Sequence, residues 1–175
     1  MNDVEAPTTY ADWLPLIDRF RDGDNSALEQ MRRGTIEWTA VVAERFTAQV
    51  SSALTARLQA LTKQLQRGFE QSQGDTFAIS RALISARRSL VPLRDFAAIP
   101  GLPANVADYL RGEIARWVQQ GQESLEKSAA SIRTDGGRLL KVIRDTPLTT
   151  IEAQPSAPVE PDVSSQAAPR RRIIL

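Results

Sequence analysis

Apolar residues recur in steps of mostly three and four from Leu28 to Phe69, through Met31, Ile36, Trp38, Val42, Phe46, Val50, Leu54, Leu58, Leu61 and Leu65. That period lines one face of a helix and does not fit the alternation of a half-buried strand. No proline interrupts the run, so Ser26–Gln73 reads as one amphipathic helix of roughly 70 Å at ~1.5 Å per residue. Its start is expected at Ser26-Ala27-Leu28-Glu29, a capping-box pattern, and its stop at Gly74, which can take the left-handed conformation that closes a helix. Gly34 and Gly68 lie inside and mark either close helix approach or a break that splits the helix in two.

The flanking segments are helical too. Thr9-Tyr10-Ala11-Asp12 is a second capping box and opens a short helix to about Arg21, with Trp13, Leu16, Ile17 and Phe20 on one face and Pro15 near its start. From Asp75 or Thr76 to about Ala98, Ile79, Leu83, Ala86, Leu90, Leu93 and Ala97 form a heptad seam. Phe77, Ile84, Val91 and Ala98 make a second stripe, seven apart, so this helix is expected to touch two neighbours, with Arg87 and Arg94 between the stripes. Pro92 should kink it or end it early. The turn Ile99-Pro100-Gly101-Leu102-Pro103 leads into a helix from about Pro103 to Thr134, whose polar centre, Gln119–Ser128, is expected to project from the core or form a weak interface. Asp135-Gly136-Gly137 reads as a break before a short helix, Arg138–Arg144.

The fold expected is therefore all-α, an elongated antiparallel helical bundle or coiled coil with one very long helix and a disordered C-terminal tail. Its parts divide as residues 1–8, a disordered N-terminus; 9–145, the bundle; 146–169, a flexible linker rich in Pro, Ala and Ser; and 170–175, a basic-aliphatic peptide. The overhanging ends of so long a helix and the wide apolar faces lead to an expected homo-oligomer, most simply a C2 dimer.

Composition narrows the chemistry. The 175 residues contain no cysteine and no histidine, which removes thiolate nucleophiles, Ser-His-Asp triads and His-ligated zinc. No Gly-rich phosphate loop follows a strand, so no catalytic residue, cofactor or metal is assigned and the protein is not expected to be an enzyme. The net charge of +1 provides no global attraction to nucleic acid or to an anionic membrane. Arginines such as Arg32, Arg33, Arg45, Arg57 and Arg67 are interleaved with Glu29, Glu37, Glu44 and Glu70. A nucleic-acid-associated helical protein is thus an alternative that is not favoured, as is an amphipathic coat on a membrane or granule surface. There is no secretory signal and no apolar run of the ~18 residues a membrane span needs, so the expected location is the cytoplasm.

Two short segments suggest binding. Asp18 to Glu29 places Asp, Asp, Gly, Asp, Ser and Glu at positions one, five, six, seven, nine and twelve, and in that spacing resembles the calcium loop of the EF-hand family. It departs from that pattern at Phe20, where a third-position ligand belongs, and at Asn25, where an aliphatic is usual. The reading adopted is metal-free: a helix end, a glycine turn and a capped helix start. The second segment is Arg170-Arg171-Arg172-Ile173-Ile174-Leu175, three large aliphatics behind three arginines at the end of a polar linker. Such a peptide could add a strand to a partner's sheet or seat its side chains in pockets, with the arginines on an acidic rim. The function expected is a non-catalytic scaffold or adaptor that self-associates through its helices and docks to a protein partner through Arg170, Arg171, Arg172, Ile173, Ile174 and Leu175.

Overall fold

The computed structural model describes residues 6–131 and 136–149. These form six helices: α1 (Tyr10–Arg21), α2 (Ser26–Arg33), α3 (Ala40–Ser72), α4 (Thr76–Ala97), α5 (Ala104–Ala130) and α6 (Gly136–Asp145). The fold is all-α, with no strand among the described residues. Helices α3, α4 and α5 follow one another through short turns and pack as antiparallel neighbours, while α1 lies on α3, α2 bridges α1 and α4, and α6 covers α4 and α5.

Local chemistry explains most of the boundaries. The Thr9 capping box is formed, with Asp12 N–H donating to the Thr9 hydroxyl at 3.3 Å and Thr9 N–H donating to the Asp12 carboxylate at 2.9 Å. Pro15 sits inside α1 without ending it, because the carbonyl it leaves unpaired belongs to Ala11, on the exposed side. α4 likewise continues past Pro92 to Ala97. The unpaired carbonyl there is that of Arg88, also exposed, so water can satisfy it and the helix does not end early. Between α3 and α4 the chain turns left-handed at Gln73 (φ 46°) and Gly74 (φ 89°), and Asp75 caps α4 by accepting from Phe77 N–H at 3.0 Å.

The expected single helix over Ser26–Gln73 is two helices, separated by an extended connection from Gly34 to Thr39. Packing against the N-terminal segment imposes the break. A Cβ on Gly34 would lie 2.5 Å from Pro7 Cγ and 2.8 Å from Pro7 O, so only glycine lets the chain pass here. Thr35 N–H then donates to Pro7 O at 2.9 Å, and the indole N–H of Trp38 donates to Gly101 O at 2.7 Å. The first gives Thr35 N–H a partner in place of a helical one, and the second ties the Trp38 side chain to the turn before α5. The second glycine, Gly68, stays inside α3, which at 33 residues still spans about 50 Å.

The start of α2 also differs from its expected capping box. Asn25 is the N-cap and makes no side-chain capping bond. Asp24 supplies it instead, accepting from Ser26 N–H at 2.9 Å and from the Ser26 hydroxyl at 2.6 Å.

The core runs the length of the bundle and has an aromatic joint at one end. Phe20 of α1 stacks on Phe96 of α4 with centroids 4.5 Å apart, and Phe46 of α3 receives the edges of Trp13 and Trp38 at 5.7 and 4.9 Å. The polar centre of α5 does not project into solvent. Gln122 donates to Ile143 O at 3.4 Å and accepts from Leu148 N–H at 3.1 Å, and Leu148, fully buried, lies over Gly121. Helix α6 and the turn after it therefore close over this part of α5, and bundle packing extends past Asp145 to Leu148.

Candidate docking surface

The two stripes of α4 have different fates. The seam from Ile79 to Ala97 is buried against α3, α5 and α6. The second stripe meets no neighbour: Phe77 is 80% exposed, Ile84 39% and Val91 43%. As its wide apolar arc led one to expect, α4 touches more than one neighbour, but these helices all gather on the Leu83–Leu90 side and leave the second stripe in water. Seven residues are two helical turns, so the three side chains stand about 10.5 Å apart in one line roughly 21 Å long. An ordered row of this kind differs from single scattered apolar residues, which are normal on any surface.

Cations flank the row. Arg81 and Arg88 are exposed and lie one turn to either side of Ser85, while Arg87 stands between Ile84 and Val91 on the opposite flank. On the Ser85 side, α3 and α4 enclose a groove of about 490 Å³ that includes Lys63, Gln64, Arg67, Gly68, Ala82 and Ser85, with no carboxylate in its lining. Gly68 sets the depth of the groove, since a Cβ there would lie 2.9 Å from the Ala82 Cβ. Gln64 spans it by donating to the Ser85 hydroxyl at 3.3 Å.

Lys63, Arg67, Arg81, Arg87 and Arg88 make no ion pair among the described residues. Several arginines elsewhere have partners, Arg19 with Asp24, Arg32 with Glu29 and Asp95, Arg111 with Asp108, and Arg144 with Glu126, whereas Arg33, Arg45 and Arg138 make no ion pair among the described residues. The α4 face differs in gathering its unpaired cations beside an apolar row. Arg87 is more constrained than the others. Its Nε is buried and has no hydrogen-bond acceptor. The face is therefore apolar along its crest and positive along both flanks.

The segment resembling a calcium loop is organised around arginines. Asp24 accepts from Arg19 Nη2 at 2.6 Å and from the Ser26 hydroxyl and backbone, and these bonds hold its carboxyl down at about 2. Asp18 and Asp22 both pair with Arg21, at 2.9 and 3.1 Å, and Glu29 pairs with Arg32 at 2.7 Å. The four carboxylates thus serve three arginines, with Asp18 and Asp22 sharing Arg21. No group of three or more acidic residues able to hold a metal ion occurs among the described residues.

The Arg170–Leu175 peptide lies outside the described residues. No described helix is long and apolar enough to cross a membrane. A scan against protein-family models and searches of curated proteins and of solved structures found no match. The sequence shows the second stripe of α4 but not that it stays exposed. The available signal was the pair of arginines, Arg81 and Arg88, each four residues after a member of the stripe, which marks an amphipathic border and not a second buried face.

Proposed function

We propose that the protein is a non-catalytic helical adaptor. Its bundle presents the α4 crest and the α3–α4 groove as a docking face for another protein, and its Arg170–Leu175 peptide makes a separate contact. The observation that carries this reading is the exposed, heptad-spaced row Phe77, Ile84 and Val91 in a chain that buries its other apolar stripes. Burying that row on a partner removes apolar area from water at about 25 cal/mol per Å², and its unpaired cations add orientation. The absence of histidine and cysteine from the sequence leaves few routes to catalysis.

The same charges decide what the face does not bind. Two copies paired through α4 would set Arg81, Arg87 and Arg88 against their own counterparts, so the C2 dimer expected from the sequence belongs on another face. The three arginines of the C-terminal peptide are repelled by the face too, which leaves that peptide available for a second protein.

The test is site-specific photo-crosslinking in the native cell, with the reactive residue replacing Phe77, or replacing exposed Gln59 on α3 as a control. The expected result is a discrete protein adduct from position 77 alone, lost when Arg81 and Arg88 are changed to glutamate. Adducts only to nucleic acid or lipid, or none at all, would overturn the proposal. Repeating the measurement on a chain ending at Pro169 reports whether the C-terminal peptide contributes.

A further inference from the structure

We infer that the occupant of the α4 face is an acidic amphipathic helix of a partner protein, lying along α4 with apolar side chains on Phe77, Ile84 and Val91 and carboxylates on Arg81, Arg87 and Arg88. This rests on the docking reading above and adds the chemistry of the partner. The first argument is spacing. A partner helix repeats its apolar face every two turns, about 10.5 Å, which matches the row on α4. An extended peptide presents one face every second residue, about 6.6–6.8 Å, and falls out of step after the first contact. It also gains most by pairing with a sheet edge, and the described residues contain no strand.

The second argument is charge. Lys63, Arg67, Arg81, Arg87 and Arg88 have no ion-pair partner among the described residues, and no carboxylate lines the groove. In heptad terms Arg81 and Arg88 follow the apolar positions by four residues, where flanking charges of a helix pair meet. Arg87 follows Ile84 by three, and its buried Nε has no acceptor. A glutamate on the partner helix would neutralise the Arg87 charge.

Other ligands fit less well. A nucleic-acid backbone would use the cations but leave Phe77, Ile84 and Val91 against hydrated phosphate. A planar bilayer would meet the crest, whereas Lys63 and Arg67 line a groove beside it. The chain has an acidic stretch of its own, Glu152 to Asp162, but its sequence carries Pro155, Pro158 and Pro161, residues that a helix interior disfavours.

The experiment is a fluorescence titration of the full-length chain with a synthetic peptide of about 18 residues, long enough at ~1.5 Å per residue to cover the row. The peptide has leucine at the a and d positions and glutamate at e and g. Controls are a scrambled peptide of the same composition, phosphatidylserine-containing vesicles and duplex RNA. Micromolar binding of the helical peptide is expected, weakened by roughly 10-fold or more in Phe77→Ser and in the Arg81→Glu, Arg88→Glu double variant. Both variants should melt with the wild type, because all three side chains are exposed.

Equal binding of the scrambled peptide, undiminished binding by the charge-reversed variant, or binding of vesicles or RNA but not of the peptide would each overturn the inference. So would a helical peptide that binds only when Glu152, Glu160 and Asp162 are neutralised in the full chain, which would make the chain's own acidic stretch the occupant. A protein adduct at position 77 without binding of the helical peptide removes the helix and leaves the docking reading standing. With neither result, both fall.

Discussion

The guanidinium of Arg57, in the middle of α3, lies 4.8 Å from the centroid of the Phe20 ring in α1 and donates from Nη1 to the Phe20 carbonyl at 2.9 Å. Its Nη2 donates to Asn25 Oδ1 at 2.9 Å, so one side chain fastens the turn between α1 and α2 onto the long helix. Burial pushes its pKa down from the ordinary arginine value, yet an arginine remains charged at neutral pH. The cation–π contact and the two hydrogen bonds together are worth about 2 kcal/mol. Arg57→Ala should lower the melting temperature by roughly 4–8 °C. Arg57→Lys should recover only part of that loss, because an ammonium cannot fork between Phe20 and Asn25. Thermal melts followed by circular dichroism check both, and an unchanged Arg57→Ala melt would show that the α1–α2 turn is held by other contacts.

Substituting alanine for glycine should change stability in opposite directions at two sites. At Gly34 a Cβ would collide with Pro7 and come within 3.0 Å of Trp13, so Gly34→Ala should destabilise by about 1–3 kcal/mol. At Gly112, inside α5, nothing lies within 4 Å, and Gly112→Ala should stabilise by ~0.5–1 kcal/mol through helix propensity and unfolded-state entropy. Were residues 26–73 one continuous helix, both substitutions would stabilise. Denaturant titration of the two variants decides between these.

Leu148 is fully buried, and its backbone N–H is held by Gln122. Leu148→Ala should therefore cost about 2–4 kcal/mol despite its position beyond the last helix. A chain ending at Asp145 should lose at least as much, whereas one ending at Thr149 should melt close to the full-length protein. Equal melts for the two truncations would show that the packing of Leu148 contributes nothing.

Acid should weaken the α1–α2 turn through Asp24. Its folded pKa, about 2, lies below the ordinary 3.8, because the charged form accepts from Ser26 and Arg19. A depressed carboxyl stabilises the fold fully above the unfolded pKa, and that contribution is lost as pH falls from about 3.8 through about 2. Asp24→Asn should flatten the dependence of melting temperature on pH in that window and leave its slope above pH 5 unchanged. A slope between pH 4 and pH 2 identical to wild type would assign the acid sensitivity to other carboxylates.

The sequence by itself determined the helices. A period of three to four residues survives in any packing, and capping is local, so α1 with its Thr9 box, the turn at Gly74, the Asp75 cap and the turn before α5 could all be read residue by residue. Tertiary structure decided what no local rule contains. Ile36 and Trp38 continue the apolar rhythm of α3 but lie in the connection before it, where the carbonyls of Pro7 and Gly101, distant in sequence, accept from Thr35 N–H and from the Trp38 indole. Leu148 becomes core because Gly121 leaves room for it. The α4 stripes are equally apolar in sequence, and only the placement of α3, α5 and α6 buries the row from Ile79 to Ala97 and leaves Phe77, Ile84 and Val91 in water. Periodicity tells which residues share a face; whether that face is covered depends on where the rest of the chain packs.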